Sequence, residues 1–453
     1  MDIFKQGTVL SDTEGRPIKV LSYIGGGAQG DVYKVGYQNR EMALKWYKPG
    51  KLTGNKKFYE NLEKNVRRGS PDPAFLWPCA ITAPMEGSYG YIMELVPEGY
   101  VELSEILVSR GGGGFVTFKA AVEACIHIVS AFRILHNMGY SYQDMNDGNF
   151  FIHPGTGDVK ICDNDNAAPN ETHTGIIGTP RYMAPEIVAN SLRFRNYDQM
   201  EEGERQKLEK YLPNTHTDEF SMSVILFLIL CASHPLEGER WLNARCMTDE
   251  YERALYGTGA VFIFDPEDRS NRPVKECHGN VLKRWKYLPD YMQEIFTRAF
   301  SGTALLQDPC RRVKDVEWLK VLTRFQSDIV RCPHCKNEIF LQNSAGTICE
   351  CCQKLYEVNN TLKLREYAIP AVPKARIYRC QVEICNPDEA MQLVGVIIPR
   401  PDRPQELYFR NMTSTTAEGF SVSGVRHLLN PGDLVPVRAG IQINILNGKI
   451  VME

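Results

Sequence analysis

Along the first hundred residues, short apolar runs alternate with turn signals. Strand-like stretches at Pro17–Tyr23, Val32–Tyr37 and Glu41–Tyr47 surround a glycine cluster. Residues 56–68 follow a helical period, with Phe58, Leu62 and Val66 at four-residue spacing on one face. Strand-like runs return at Cys79–Pro84 and Tyr89–Val96, and the glycine run Gly111–Gly114 breaks the chain as a loop. The pattern is helical from about Thr117 through Leu135. Residues 200–325 are mostly helical, punctuated by Pro235, Pro289 and Pro309. A small β-rich lobe ahead of a larger helical lobe is therefore expected. Beyond it come a cysteine-bearing segment at 331–365 and a stiff Pro370-Ala371-Val372-Pro373 linker. Five strands are expected to follow: Arg376–Ile384, Leu393–Ile398, Glu406–Phe409, Leu434–Arg438 and Gln442–Leu446.

The length of 453 residues suggests two to four domains, at roughly 100–200 residues each. With 43% hydrophobic and 24% charged residues the composition is that of a globular chain, which excludes wholesale disorder, collagen and coiled coil. A net charge of −3 argues against a chain-wide nucleic-acid binder. The start, Met1-Asp2-Ile3-Phe4-Lys5-Gln6, has an early acid and no apolar h-region, so no signal peptide is expected. The longest nearly apolar stretch, Phe220–Ala232, falls short of the about 20 residues that span a bilayer and suits a buried helix. The 14 cysteines are scattered except for a cluster between 332 and 352, which reads as a metal site among reduced thiols. A cytoplasmic location without membrane contact is the expectation.

Ile24-Gly25-Gly26-Gly27-Ala28-Gln29-Gly30-Asp31-Val32 contains G-x-G-x-x-G-x-V. Glycines let a backbone approach phosphates and donate N–H groups with no Cβ in the way. Alone, such a cluster between strands is more often a hairpin turn. It is not a dinucleotide fingerprint, because Val32–Tyr37 continues as a strand. The next strand carries Ala43-Leu44-Lys45, which fits the V-A-I-K lysine of protein kinases. That lysine needs a helix carboxylate; Glu63 is favoured over Glu60 because Val66 then falls one turn later toward the core.

The resemblance becomes specific downstream. Tyr142-Gln143-Asp144-Met145-Asn146-Asp147-Gly148-Asn149 resembles the kinase catalytic loop H-R-D-x-x-x-x-N, and Asp163-Asn164-Asp165 stands where D-F-G is found. Gly178-Thr179-Pro180-Arg181-Tyr182-Met183-Ala184-Pro185-Glu186 resembles the end of an activation segment of the serine/threonine-specific type. Asp218-Glu219-Phe220-Ser221, Ser233-His234-Pro235-Leu236-Glu237-Gly238 and Asp308-Pro309-Cys310-Arg311-Arg312 resemble the family's later landmarks, the last implying an Arg312–Glu186 ion pair. Residues 15–325 are thus similar to a eukaryotic-like Ser/Thr protein kinase domain of bacterial type. The resemblance implies a bilobal α+β kinase fold that uses ATP and Mg2+ (or Mn2+) on a protein hydroxyl. It implies Asp144 as base, Lys45 held by Glu63 on the phosphates, and Asn149 and Asp163 as magnesium ligands. Ile24, Gly25, Gly26, Gly27, Gly30, Val32 and Ala43 would cover the nucleotide. Met93 stands at the gatekeeper, with Glu94-Leu95-Val96 as the adenine-binding hinge.

Three departures bear on activity. Tyr142-Gln143 replaces His-Arg, so Thr172 and Thr174 lack a charged reader and are expected to be plain loop residues. Asn146 replaces a lysine that touches the γ-phosphate, a loss of roughly 10²–10³-fold if nothing replaces it. Asn164-Asp165 replaces Phe-Gly, and Asp165 is expected to cap a turn rather than to hold metal. A nucleotide-binding pseudokinase scaffold is the rival reading.

Cys332-Pro333-His334-Cys335 and Cys349-Glu350-Cys351-Cys352 give two C-x-x-C knuckles, with Cys332, Cys335, Cys349 and Cys352 as zinc ligands. His334 and Cys351 read as bystanders. The segment resembles a zinc ribbon, for which a protein-contact or bracing role is favoured over a nucleic-acid adaptor, given few basic residues and aromatics nearby. The tail reads as a small β-sandwich that resembles the second half of a forkhead-associated domain without its Ser-x-x-His reader. The expected domains are 1–328 (lobes about 1–96 and 97–328), 329–366 and 374–453. The domain order and divergent motifs resemble kinases that accompany a PP2C-type phosphatase and a von Willebrand A protein in tellurite-resistance-type systems.

Overall fold

A computed structural model describes residues 4–50, 52–108, 114–175, 178–341 and 346–453. Gly111–Gly113 of the expected glycine loop lie outside the described residues. The chain divides into two compact units. One comprises the chain through Phe115, Ile134–Leu282 and Phe296–Val313; the other comprises Val116–Arg133, Lys283–Ile295 and Lys314–Glu453.

The first unit begins with β1 (Val9–Ser11), β2 (Pro17–Gly26), β3 (Gly30–Tyr37), β4 (Arg40–Tyr47), α1 (Lys56–Arg68), β5 (Ala80–Ile81) and β6 (Gly90–Met93). The strands form one antiparallel sheet in the order β1-β2-β3-β4-β6-β5. Because strand side chains alternate, β4 feeds both faces. Met42, Leu44 and Trp46 enter a core with Ile18, Val20, Tyr33 and Val35. Ala43 and Tyr47 face the other way, with Phe58 and Leu62 of α1 and with Tyr91 and Met93. Lys45 shares that second face and is buried.

Helix α1 starts at Asn55, whose side chain accepts from the N–H groups of Lys57 and Phe58. Its buried positions are Phe58, Asn61, Leu62 and Asn65. Phe58 and Leu62 are buried and Val66 packs against the same cluster, as the four-residue spacing predicts, and two asparagines share that inward face. Helix Thr215–Cys231 contains the apolar stretch found in the sequence and is closed by a reciprocal Asn214–Thr217 cap. Phe227 on it meets Phe296 and Phe262 edge-on at 5.1 and 5.6 Å. Arg312 donates both guanidinium arms to Glu186 at 2.9 and 2.6 Å, the pair anticipated above.

In the second unit, strand Ile329–Arg331 pairs with Glu338–Phe340, and Gly346–Ile348 with Leu355–Glu357. A six-stranded and a four-stranded sheet then share one apolar core that includes Ile369, Ile377, Ile397, Phe409, Ile443 and Ile450. The expected linker is instead structural. Tyr367–Pro370 is an edge strand beside Thr361–Leu364, and Ala371 is buried in the shared core. Proline is tolerated there because an edge strand leaves one row of N–H positions unpaired. Residues 361–370 thus belong with the β-rich tail. The expected strand Arg376–Ile384 ends at Tyr378 and turns into the short helix Arg379–Val382. Strands Ala417–Phe420, Arg426–Leu429 and Gly448–Met452 were not anticipated.

The expected boundary at 328/329 is also bridged. Glu338 accepts from the N–H groups of Phe118 and Lys119 at 2.6 and 3.3 Å, capping helix Phe118–Asn137. Phe118, Phe325 and Phe340 pack as an aromatic cluster. Among the described residues no helix is long and apolar enough to cross a membrane.

Candidate active site

The glycine-rich segment is the β2–β3 hairpin. Gly25 pairs with Val32 and Gly26 with Asp31, and the Gly27 N–H donates to the Gly30 carbonyl at 2.8 Å. At Gly30 a Cβ would lie 2.4 Å from the Trp46 carbonyl oxygen, so only glycine lets β3 approach β4 there. Ile24 stays exposed on the hairpin. Val32 lies opposite Lys45, and Ala43 lies opposite Met93. Val32, Ala43, Met93 and Val96 share one apolar cluster. Glu94 is exposed and pairs with Arg40 at 2.8 Å.

The lysine partner differs from the expectation. Lys45 Nζ lies 3.1 Å from Asp163 Oδ1 and 3.2 Å from Asp165 Oδ2. Gln29 Oε1, from the hairpin turn, is 3.3 Å away. Glu63 is not the anchor: it sits off the inward face of α1, and Asn61 and Asn65 occupy that face. Both asparagines donate from Nδ2 to the Ala167 carbonyl, at 2.9 and 2.8 Å. Asp165 is neither a turn cap nor open to a metal ion. It is fully buried and accepts from Tyr47 OH at 2.6 Å and Tyr91 OH at 3.0 Å.

Burial pushes the Lys45 ammonium toward neutrality, but Asp165 and Asp163 outweigh it and hold its pKa above the ordinary lysine value. Burial, reinforced by Asp165, keeps Tyr47 and Tyr91 well above the usual phenol range, so both remain donors. Asp163 stands in the left-handed region at φ 53°, with its side chain 31% exposed. Burial raises its pKa against the pull of Lys45.

The catalytic-loop residues are held from below. Asp218 accepts from the Tyr142 N–H at 2.5 Å and lies 3.1 Å from His136 Nε2. The Tyr142 hydroxyl donates to the Cys162 carbonyl, tying this loop to the strand that ends at Asp163. Asn149 donates from Nδ2 to the Asp144 carbonyl at 2.8 Å. Asp144 accepts from Asn146 Nδ2 and from Thr179 Oγ1, each at 3.4 Å. Burial raises the Asp144 pKa above the usual aspartate value, with Asn146 opposing. Gln143 is more than a lost arginine. Its amide donates to the Thr172 carbonyl at 3.2 Å and accepts from Thr174 Oγ1 at 3.0 Å. Thr174 is correspondingly buried rather than a plain loop residue.

The segment bearing Asp144, Asn149 and Asp163 therefore meets the lysine strand at the Lys45–Asp163 pair. A family profile described as the protein kinase domain matches residues 18–277. The chain belongs to the protein kinase family. It is 27% identical over 203 residues to "Probable serine/threonine-protein kinase MARK-C" of Dictyostelium discoideum, spanning 44% of this chain and 23% of that protein. It is 26% identical over 219 residues to Calcium-dependent protein kinase 24 of Arabidopsis thaliana, spanning 47% of this chain and 32% of that protein. The chain thus covers about a quarter to a third of the length of these curated relatives. Among solved structures, the kinase domain of Mycobacterium tuberculosis PknI has a TM-score of 0.42 at 14% identity, covering 71% of this chain and 98% of that one.

Tyr47, Tyr91, Asn61 and Asn65 were missed in the sequence. A signal existed for Tyr47, which lies two residues from Lys45 and so on the same strand face. Tyr91 pairs directly with Lys45 across β4 and β6, which only the register reveals.

A second cluster lies in the other unit. The sulfurs of Cys332, Cys335, Cys349 and Cys352 all fall within 4.8 Å of one another, with Cys332–Cys352 at 3.7 Å and Cys335–Cys349 at 3.5 Å. Tetrahedral zinc with bonds of about 2.3 Å spaces its sulfurs about 3.8 Å apart, so the set fits that ion.

Proposed function

We propose that the chain is an ATP-dependent protein serine/threonine kinase. The observation that carries this reading is the 3.1 Å approach of Lys45 to Asp163, beside a half-buried Asp144. In this reading Asp144 orients the substrate hydroxyl and receives its proton, and its raised pKa suits a base. Lys45 anchors the α- and β-phosphates. Ile24, Gly25, Gly26, Gly27 and Gly30 approach them through the hairpin backbone. Val32 and Ala43 cover the adenine, whose edge meets the backbone from Met93 through Val96. Asn149 and Asp163 would hold Mg2+ or Mn2+; the ion supplies positive charge to the transferring phosphoryl group. The fit rests on Asn149, whose amide nitrogen is committed to the Asp144 carbonyl, leaving its oxygen for a cation, and on the part-exposed Asp163.

The four thiolates are assigned to zinc, which makes residues 329–357 a metal-braced hairpin pair of zinc-ribbon type. A protein hydroxyl is the substrate class, and the β-rich tail is a docking module for partners. A PP2C-type phosphatase and a von Willebrand A protein remain candidate partners on the sequence resemblance alone, to be tested by co-purification from a cytoplasmic fraction.

The deciding test is transfer from labelled ATP, to the chain itself and to a generic serine/threonine substrate. Asp144→Ala is expected to lower transfer on the order of 10²–10⁴-fold while nucleotide binding persists. Nucleotide uptake without any Asp144-dependent transfer would show a scaffold instead.

A further inference from the structure

We infer that Asp165 is the positioning residue for Lys45, taking the post of a helix carboxylate, and that the hydroxyls of Tyr47 and Tyr91 fix it there. The inference rests on the kinase reading and adds how its lysine is held.

Two bland roles for Asp165 fail on geometry. It lies inside the short turn Asn164–Asn166, whose cap position is Asp163, and it makes no cap hydrogen bond. Its two oxygens are already engaged: Oδ2 by Tyr47 at 2.6 Å, Oδ1 by Tyr91 at 3.0 Å, and both by Lys45 at 3.2 and 3.3 Å. A fully buried carboxylate so surrounded is unavailable to a cation from solvent. It is instead the group a buried ammonium requires, because an unpaired charge in this environment is costly.

The two aspartates divide the work. Asp163 is part-exposed and is the one free to turn toward a cation. Asp165 is sealed and keeps its hold on Lys45 whatever Asp163 does. The two tyrosines belong to the same sheet as the lysine, so Asp165 is gripped from β4 and β6 without a carboxylate from α1. Helix α1 is tied separately, through Asn61 and Asn65 to the Ala167 carbonyl. Among the described residues the helix thus supplies no charge partner to Lys45, and its ion pair to another segment, Lys57 with Asp198 at 3.9 Å, is an exposed one.

The test reads the lysine directly. The full chain is labelled with acetic anhydride at about pH 8, and acetylation of Lys45 is followed by peptide mass spectrometry. Loss of the Asp165 carboxylate should free the Lys45 amine from its buried pair, so Asp165→Asn should increase its labelling about tenfold or more, the equivalent of about 1.4 kcal/mol. In the same variant the KM for ATP should rise by more than kcat falls, because a phosphate anchor is lost while Asp144 is intact. Glu63→Gln should leave Lys45 labelling within about twofold. Unchanged labelling in folded Asp165→Asn, or a tenfold rise in Glu63→Gln, overturns the inference. If Asp165→Asn does not fold, the surface variant Glu63→Gln still decides. Labelling needs no turnover. A wild-type chain that transfers no phosphate yet shows these shifts would sink the kinase activity and leave the lysine anchor standing.

Discussion

The cleft around Lys45 and the cysteine knuckles at 332–352 both crowd reactive groups together, and they stabilise them in opposite ways. Beside Lys45, the buried charges find counterparts in the chain. Lys45 meets two aspartates, Asp165 meets two tyrosines, and the whole sits against a core built from Tyr47, Phe58, Leu62, Tyr91 and Met93. At the knuckles, four sulfurs converge on a point that the chain itself does not fill. The small core there counts two of those cysteines, Cys332 and Cys349, among its five buried members. Polar groups that satisfy one another are stable on their own, whereas a set of like donors needs an ion from outside.

The sharpest way to break this comparison is to strip the metal. A zinc chelator should remove binding energy of about 10–16 kcal/mol from the knuckle segment. Hydrogen exchange by mass spectrometry should then show lost protection across residues 329–357, while peptides covering 43–47 and 161–167 keep theirs. Equal protection with and without chelator would erase the distinction.

On the self-sufficient side, Arg312→Ala should cost about 3–5 kcal/mol, because Glu186 loses both guanidinium arms at a site where Arg312 is buried. Urea unfolding checks this, and a cost below about 1 kcal/mol would mark the pair as an ordinary surface bridge.

A third prediction uses His234, which burial holds down to about 4. Its Nε2–H donates to the Arg181 carbonyl at 2.8 Å, and its Nδ1 accepts from the Leu236 N–H at 3.2 Å, so the neutral ring is required. The unfolded chain takes up this proton near pH 6.5 and the folded chain only near 4. Stability from this group is therefore present above about pH 6.5 and is lost as pH falls toward about 4, on the order of 3 kcal/mol in all. Urea midpoints measured across that window should fall, and His234→Gln should flatten that part of the profile.

The smallest effect sharpens the account of α1. Asn65→Ala removes one of two donors to the Ala167 carbonyl and should cost about 1–3 kcal/mol. Its expected signature is faster exchange at 58–66 with little change in the KM for ATP. A KM that rises as steeply as in Asp165→Asn would recouple helix and lysine.

Much of this protein is readable without coordinates. The hairpin glycines, Lys45, Asp144, Asn149 and Asp163 stand in an order that resembles the protein kinase series, and that resemblance implies one site. The paired C-x-x-C knuckles imply four ligands. The Arg312–Glu186 pair follows from the resemblance of two separated segments to kinase landmarks. The tail was read less well. Short strands such as Ala417–Phe420 carry few apolar residues, and Pro370 suggests a linker although it ends an edge strand. Residue type marks a turn or a stiff segment, but pairing across sheets is decided by which edge is left open.

Sequence determined which residues carry the chemistry, because phosphate, metal and thiolate chemistry each demand particular side chains at particular spacings. It also determined that Lys45 needs an acid. Tertiary structure alone decided which acid. Asn61 and Asn65 share the buried face of α1 while Glu63 stays off it, and the face of β4 together with the Lys45–Tyr91 register brings two hydroxyls onto Asp165. A hydrophobic period cannot register polar residues on a buried face, and a lysine's neighbours depend on packing among segments distant in the chain.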